Sequence, residues 1–404
     1  MVQQELDCDV AIVGAGPAGS SAAAFLRLKG VSVTVLEREE FPRFHIGESL
    51  LTMSIPALAR MGVRLEGASF ANLKPGALFM QESSREQLRV DFSHGLPGTF
   101  PHAFQVERAE FDAALARRAG ELGASLRFGC AVRSWEEREE DVVLKGDFGE
   151  LRAKVAIDAT GQDALFGRRQ RTVEALDRFG RCASFSTFAP VRSETARRCV
   201  GNGDILILLV DAGWMWLIPL TQGRVSVGIV ERNPKPGLSA EDVLGSTLRD
   251  SRFLSDFFAG AEPIQPYRRI ANYSYYNARP ASRRCLTVGD ASAFLDPIFS
   301  SGVTVAITTA ERLAEAVASA IASGTEPDLS DYREQCRKAY TTFDRLIERF
   351  YRPEWVRTVF FSAGKEDRML REFTAILAGD VWRDDNDVQR MLLGSANRSL
   401  TSSA

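Results

Sequence analysis

The sequence is poor in the residues that build metal centres and disulfide scaffolds. It has 6 cysteines and 3 histidines in 404 residues, and no two cysteines form a Cys-x-x-Cys pair. This spacing argues against a zinc ribbon and against a disulfide-rich extracellular protein. We therefore expect no metal ion, free thiols and a cytoplasmic location.

Long apolar runs and an excess of one charge are also missing. No stretch approaches the roughly 18 uncharged apolar residues of a membrane-spanning helix. The 50 basic and 53 acidic side chains give a net charge of −3, which argues against binding nucleic acid through a broad basic face. The N-terminus lacks the basic region and cleavage site of a signal peptide. The sequence therefore predicts a soluble protein of two or three domains.

The first 37 residues carry a dinucleotide-binding pattern. Apolar, β-branched runs predict strands over 9–13 and 32–36, and the alanine-rich stretch 17–29 predicts the helix between them. The turn before this helix reads Gly-Ala-Gly-Pro-Ala-Gly, a pattern that lets the backbone approach a pyrophosphate at a helix N-terminus. Glu37 follows the second strand, where a carboxylate accepts hydrogen bonds from a ribose. The residues predicted to hold the pyrophosphate are Gly14, Gly16, Pro17, Ala18 and Gly19.

The later segments have a different pattern of apolar and polar residues. Alternating, aromatic-rich strands between about 181 and 230 predict a separate antiparallel sheet, and the runs 132–144 and 150–156 predict a more exposed hairpin. The buried strand 285–289 and the long helix 302–323 return to the pattern of the first 37 residues. The nucleotide-binding elements are therefore expected to be interleaved with a second sheet.

Several of these later segments carry recognisable motifs. The stretch 42–51 follows the second strand, 70–79 contains a lysine, and 213–219 reads Gly-Trp-Met-Trp-Leu-Ile-Pro. Asp-Ala-Thr-Gly stands at 158–161, and 286–303 begins with a strand that ends in an acid. Together these motifs resemble those of the flavin-dependent halogenases, a branch of the flavoprotein monooxygenase superfamily, over about residues 8 to 315.

The resemblance implies an α/β fold in which a Rossmann-like FAD-binding domain is interleaved with an antiparallel β-sheet substrate domain, followed by a helical C-terminal segment. The FAD-binding domain would be discontinuous. The predicted limits are 1–70, 100–175 and 270–328 for the FAD-binding domain, 71–99 and 176–269 for the substrate domain, and 329–404 for the helical segment.

In such enzymes, reduced FAD and oxygen oxidise chloride or bromide to hypohalous acid, which then halogenates an electron-rich aromatic ring. The resemblance implies that Lys74 is the catalytic residue and that a separate flavin reductase supplies the reduced FAD. Phe299 stands where tryptophan-type enzymes have a glutamate. This difference favours a phenol or pyrrole, either free or attached to a carrier protein.

The resemblance also assigns binding residues. Halide would be held by backbone N–H groups of Ser301 and Gly302 at a helix start. The implied substrate pocket contains Trp214, Trp216 and Phe299. Further residues implied to contact FAD are Arg43, Glu48, Ser49, Arg108, Asp290, Gly302 and Val303.

Three other functions share the FAD motifs and stay open on the sequence. A flavoprotein monooxygenase would hydroxylate an aromatic or peptide-bound substrate and would need neither Lys74 nor halide. A relative of geranylgeranyl reductases would reduce prenyl double bonds in a longer apolar cavity. A protein that kept the fold and FAD but lost the chemistry would serve as an interaction protein.

Overall fold

The computed structural model describes residues 6–178, 182–352 and 367–394. The predicted polar tail after residue 394 and the stretch 353–366 of the predicted helical segment lie outside the described residues. The strands are β1 (Cys8–Val13), β2 (Val33–Leu36), β3 (Ala71–Lys74), β4 (Gly76–Gln81), β5 (Gln87–Asp91), β6 (Ala103–Val106), β7 (Ser125–Arg127), β8 (Val132–Glu137), β9 (Val142–Gly146), β10 (Gly149–Asp158), β11 (Val173–Ala175), β12 (Cys182–Ala189), β13 (Ile205–Val210), β14 (Gly213–Pro219), β15 (Val225–Glu231), β16 (Glu262–Pro263), β17 (Arg268–Ala271), β18 (Tyr275–Asn277), β19 (Cys285–Thr287) and β20 (Ala293–Phe294).

The α-helices pack on both sheets and form most of the C-terminal part. They are α1 (Pro17–Leu28), α2 (Ser54–Met61), α3 (Arg108–Glu121), α4 (Leu165–Gln170), α5 (Glu194–Val200), α6 (Ala240–Asp250), α7 (Arg252–Phe257), α8 (Ser301–Ser323), α9 (Ser330–Phe350), α10 (Asp367–Leu377) and α11 (Asp387–Gly394).

A seven-stranded sheet, counted over the described residues, forms the nucleotide-binding half. Its order is β7-β2-β1-β10-β9-β8, with β19 also paired to β10. The strands β7, β2, β1, β10 and β19 are mutually parallel where they pair. Helix α1 packs between this sheet and α8, and its residues from Ala22 to Leu26 are buried. The predicted β-α-β unit is therefore confirmed.

The predicted exposed hairpin over 132–144 and 150–156 is wrong in two respects. The first run contains two strands, β8 and β9, and Val142, Val143 and Leu144 are fully buried. The second run belongs to β10, which pairs antiparallel with β9 in its first half and parallel with β1 in its second half. One strand thus changes its partners along its length, and sequence periodicity does not reveal such a change.

The predicted antiparallel sheet is confirmed by an eight-stranded sheet among the described residues. Its order is β16-β12-β15-β14-β13-β4-β5, with β17 also paired to β12. One pairing, between β13 and β4, is parallel. The strands come from 76–91 and 182–271, whereas the nucleotide-binding strands come from segments before, between and after these. The two sheets are therefore interleaved along the chain, as expected, and the exact domain limits stay a prediction.

A two-stranded ribbon and an extended stretch join the two halves. The ribbon pairs β3 with β6 in antiparallel register. We call residues 47–52 the connecting segment. Its Leu50 N donates to Phe104 O of β6 at 3.0 Å, and its Leu51 N donates to Thr304 Oγ1 of α8 at 3.1 Å. The connecting segment is therefore fixed between the ribbon and the start of α8.

The helical C-terminal part packs against α8. Helix α9 contacts both α8 and α11, and α10 contacts α11. Within the ranges that the structure describes, no helix is long and apolar enough to cross a membrane.

A substitution at Gly228 tests the packing of the eight-stranded sheet. It is the register partner of Trp216, and an added Cβ would lie 2.2 Å from the indole ring. We expect Gly228→Ala to lower the free energy of unfolding by about 1 to 3 kcal/mol, since overpacking displaces a buried ring. In a Trp216→Leu background the same change should cost clearly less. Urea denaturation of the four proteins measures both costs, and equal costs would contradict this packing.

Candidate functional site

A cavity of about 430 Å³ lies between the β1–α1 turn, the start of α8 and the eight-stranded sheet. The predicted residues that line it are Gly14, Gly16, Pro17, Ala18, Glu37, Arg43, Glu48, Ser49, Arg108, Trp214, Trp216, Asp290, Ser301, Gly302 and Val303. Three predicted residues from the described part of the chain do not line it, namely Gly19, Lys74 and Phe299. The structure thus brings most of the predicted set to one cavity.

The glycine-rich turn fits a pyrophosphate. A Cβ at Gly19 would lie 1.9 Å from Gly14 O, so the close approach of helix and turn excludes a side chain there. A Cβ at Gly16 would meet nothing nearer than an Arg43 nitrogen at 3.6 Å. No side chain caps α1 at Gly16, so the first N–H groups of the helix are left for an anion.

Two carboxylates are placed for the hydroxyl groups of a dinucleotide. Glu37 accepts hydrogen bonds from Ala15 N at 2.7 Å and from Glu39 N at 3.0 Å, which fixes its position at the end of β2. Asp290 lines the cavity, and its carboxylate accepts no hydrogen bond from the described residues. Removal from water raises the pKa of Asp290 to about 6, although Arg108 opposes this shift. A hydroxyl donor in the cavity would satisfy this acceptor.

A buried ion-pair network holds the cavity wall. The fully buried Asp112 carboxylate accepts hydrogen bonds from Arg108 Nε and Nη2, both at 2.9 Å, and from Arg43 Nη1 at 3.1 Å. Three charge-assisted hydrogen bonds fix both guanidinium groups. The wall near the glycine-rich turn therefore carries positive charge that suits a phosphate.

The start of α8 provides unsatisfied backbone donors at the cavity. Ser300 precedes the helix with a φ of 55°, a left-handed conformation that is unfavourable for a serine, and no side chain caps the helix. Residues 300–303 all line the cavity. Since the first N–H groups of a helix have no partner within it, this end can receive a small anion.

Lys74 lies beside the cavity with its amine removed from water. Its side chain is 1% exposed, Nζ donates to Leu50 O at 2.8 Å, and Nζ lies 5.4 Å from the centre of the Phe92 ring. Burial lowers the pKa of Lys74 to about 7, and the nearby Asp204 carboxylate opposes this shift only in part. Ser49 lines the cavity and the next residue, Leu50, contacts the amine, so the connecting segment links the cavity to the amine.

The two tryptophans line the cavity on the sheet side. Trp214 Nε1 donates to the Tyr351 hydroxyl at 3.1 Å, and Trp216 Nε1 donates to Ser226 Oγ at 3.3 Å. Both indoles are therefore held with their polar edges satisfied. Phe299 lies behind the wall, 4% exposed, with its ring edge-on to Phe350, so its role in a substrate pocket stays a prediction.

The sequence reasoning missed several polar groups of this site. Tyr273 and Asp296 line the cavity, and Gln105 is fully buried in β6 next to the connecting segment. Gln105 could have been found from the sequence, because this polar residue interrupts an apolar strand. Asp296 lies within the motif 286–303, in which the resemblance assigned it no role. Tyr273 is the first of three tyrosines in the run 273–276, which has no clear period, and nothing in the sequence indicated its role.

The chain is similar to known proteins over most of its length. The family described as Tryptophan halogenase matches residues 69–379, and the NAD(P)-binding Rossmann-like domain matches residues 12–48. A 1H-pyrrole-2-carbonyl-[peptidyl-carrier protein] chlorinase of Pseudomonas fluorescens is 29% identical over 93% of this chain and 90% of its own length.

Two solved structures are similar over nearly the whole chain. A flavoprotein/dehydrogenase from Cytophaga hutchinsonii has a TM-score of 0.85 at 25% identity, covering 96% of this chain and 99% of that one. The flavin-dependent brominase Bmp2 has a TM-score of 0.83 at 25% identity, covering 96% and 98%.

The burial of Lys74 predicts a particular pH dependence of stability. Between pH 7 and 10.5 the unfolded chain binds a proton that the folded protein does not, so stability rises with pH over this range. Relative to Lys74→Met, the wild-type free energy of unfolding should rise by about 2 to 3 kcal/mol between roughly pH 7.5 and 9.5. Denaturant unfolding at both pH values measures this. Lys145→Met is the control variant, because Lys145 is partly exposed. If the free energy of unfolding depended on pH equally in the wild type and in Lys74→Met, the Lys74 amine would be in water.

Proposed function

This chain belongs to the flavin-dependent halogenase family, and from that premise we propose that it halogenates a carrier-bound pyrrole, or a related phenol, beside the Lys74 amine. It is an FAD-dependent oxidoreductase that uses halide to halogenate an electron-rich ring. The observation that carries the proposal is the desolvated Lys74 amine, one backbone segment away from the cofactor cavity.

FAD would be held by groups already fixed by the protein. The glycine-rich turn and Arg43 would face its pyrophosphate, Glu37 its ribose, and Asp290 a hydroxyl of its ribityl chain. When bound in its reduced form, FAD would supply two of the four electrons that reduce oxygen, and the halide would supply the other two as it is oxidised to hypohalous acid. A separate flavin reductase would deliver reduced FAD, since the sequence has no second glycine fingerprint for a nicotinamide cofactor.

Halide would be bound at the start of α8. The backbone N–H groups of Ser301 and Gly302 have no capping side chain, and fixed donors of this kind bind an anion without reorganising. Trp214 and Trp216 present large apolar surfaces to the same cavity. They would keep water away from the oxidant between its formation and its use.

Lys74 would be the catalytic residue at the acceptor ring. An amine whose pKa is about 7 holds its proton loosely at neutral pH, so its ammonium form is a better hydrogen-bond donor to hypohalous acid than a solvated lysine. The donor polarises the oxygen–halogen bond and leaves the halogen more electrophilic. Because the amine is 1% exposed, water does not compete for this contact.

The proposed substrate class is supported by Phe299 and by the relatives. A phenylalanine cannot assist an unreactive ring as a carboxylate can, which favours rings that are already electron-rich. The similar chlorinase of Pseudomonas fluorescens acts on a 1H-pyrrole-2-carbonyl group on a peptidyl carrier protein. Leu73, the residue before Lys74 in β3, is 48% exposed, so this strand reaches the protein surface, at which a carrier would dock. The cytoplasmic location stays a prediction.

Substitutions at two glycines distinguish an effect on cofactor binding from an effect on folding. Gly16→Ala meets no protein atom closer than 3.6 Å, so the fold should be unaffected, whereas the added methyl group obstructs the pyrophosphate. We expect FAD affinity to fall by about tenfold or more with an unchanged urea midpoint. Gly19→Ala, whose methyl would lie 1.9 Å from Gly14 O, should lower both FAD affinity and stability. Unchanged FAD affinity in Gly16→Ala would show that the pyrophosphate binds elsewhere.

A reconstituted reaction tests the proposed function. The enzyme is combined with a flavin reductase, NADH, oxygen and chloride or bromide, with pyrrole-2-carbonyl carrier protein, free pyrrole-2-carboxylate and a panel of phenols as acceptors. Mass spectrometry should show halogen isotope doublets, strongest on the carrier-bound ring. In Lys74→Met the halogenation rate should fall by about 100-fold or more while reduced FAD is still oxidised. A gain of oxygen mass alone, unchanged in Lys74→Met, would identify a hydroxylase and refute the proposal.

A further inference from the structure

Two buried polar atoms lie on strands next to Lys74. Ser49 Oγ and Gln105 Oε1 are both buried, and neither has a hydrogen-bond partner among the residues that the structure describes. Gln105 is fully buried and Ser49 is 5% exposed. A buried polar atom without a partner is costly, and in native proteins such atoms are usually satisfied by water or by a ligand.

The register of the strands brings these groups together. Ser49 and Gln105 are paired across an antiparallel bridge, and Lys74 is paired with Ala103, two residues before Gln105. Residues two apart on a strand share a face, and diagonal neighbours across antiparallel strands are within reach of long side chains. Leu50, the residue after Ser49, accepts the hydrogen bond from Lys74 Nζ. The hydroxyl, the amide oxygen and the amine therefore belong to one small cluster.

The orientation of the Gln105 amide is fixed by the fold. Its Nε2 donates to Gly203 O at 3.1 Å. Turning the amide over would set two acceptor oxygens against each other. The Gln105 Oε1 atom is therefore an unsatisfied hydrogen-bond acceptor within the described ranges of the chain.

The Lys74 ammonium group has N–H donors that can bind a ligand. Leu50 O is the hydrogen-bond acceptor that the structure gives to Nζ among the described residues, whereas an ammonium group has three N–H donors. The cluster thus offers one fixed acceptor, one hydroxyl that can donate or accept, and two N–H donors. Hypohalous acid matches this set, because its O–H can donate to Gln105 Oε1 while its oxygen accepts from Lys74 and Ser49. Halide and hypohalite do not match it, because they have no proton to donate to the amide oxygen.

We propose that Ser49 and Gln105, together with Lys74, form a buried binding site that holds neutral hypohalous acid until the acceptor ring arrives. Ser49 lines the cofactor cavity, so it is the point at which the acid passes from the cavity to the amine. Ser49 and Gln105 are positioning residues, and the inference rests on the proposed function.

The transfer step at this site balances in atoms and electrons. The ring carbon attacks the halogen, the carbon–halogen bond forms, and the oxygen–halogen bond breaks with its electron pair on oxygen. The departing hydroxide takes a proton from the Lys74 ammonium and leaves as water. The ring then loses its proton from the substituted carbon, and the Lys74 amine regains one.

Ser49→Ala is a sharp test, since the Ser49 hydroxyl makes no hydrogen bond with the described part of the chain that the fold would lose. Gln105→Met removes the acceptor at similar volume. Matched controls are Ser21→Ala and Gln389→Met, because Ser21 Oγ and Gln389 Oε1 are also buried without a partner, and Gln389 Nε2 also donates to a backbone carbonyl, that of Val381. Each variant is compared with the wild type on pyrrole-2-carbonyl carrier protein in the presence of monochlorodimedone, a soluble trap for hypohalous acid.

The readout is the ratio of ring halogenation to trap halogenation per reduced FAD oxidised, which a merely structural role would not change. We expect both site variants to lower this ratio by about fivefold or more, whereas both controls keep it. A ratio within twofold of the wild type in Ser49→Ala and Gln105→Met would show that the cluster holds only water, and would overturn the inference. Loss of FAD oxidation in Ser49→Ala would place its role at the cofactor instead and would also overturn it. A wild-type enzyme that halogenates neither ring nor trap would refute the proposed function, and this inference with it.

Discussion

The removal of the Lys74 amine from water is the constraint on which the site depends. The ribbon of β3 and β6, the connecting segment and the Phe92 ring enclose the amine, and Leu50 O gives it a hydrogen bond at 2.8 Å. Taking an amine out of water favours its neutral form and lowers its pKa to about 7. A nearly neutral amine in a dry site can give up and regain a proton during one halogen transfer, which a solvated lysine does poorly.

The surrounding elements keep this buried amine compatible with a stable fold. Asp204 provides a compensating negative charge, and hydrogen bonds from Arg89 Nε at 2.6 Å and Asn202 Nδ2 at 2.8 Å fix its position. The connecting segment contacts the amine through Leu50 and α8 through Leu51. The end of α8 that is proposed to bind halide and the amine that is proposed to use the oxidised halogen are therefore attached to the same short stretch of backbone. The segment both separates the two sites and sets the distance between them.

Local patterns predicted the elements well, because they depend on neighbouring residues. The β-α-β unit agrees with the periodicity to within one residue at each end, and the strands β12 to β15 lie in the stretch where an antiparallel sheet was predicted. Pairings between distant segments could not be predicted in this way. Nothing local indicates that Lys74 pairs with Ala103 and is buried, since a lysine before Pro-Gly resembles an exposed turn. The role of Lys74 was predicted from the resemblance alone. A role for the polar Gln105 in an apolar strand could be inferred only from the structure, which pairs it with Ser49.

A titration of the Lys74 amine decides whether this side chain is removed from water. The chain has seven lysines, so the Nζ resonances of protein labelled with ¹⁵N-lysine can be resolved by NMR, and the spectrum of Lys74→Met assigns the one of interest. A titration of the FAD-free enzyme should give a midpoint at about pH 7 for Lys74, well separated from the other six. A midpoint near the ordinary lysine value of 10.5 would show a solvated amine and would contradict the account.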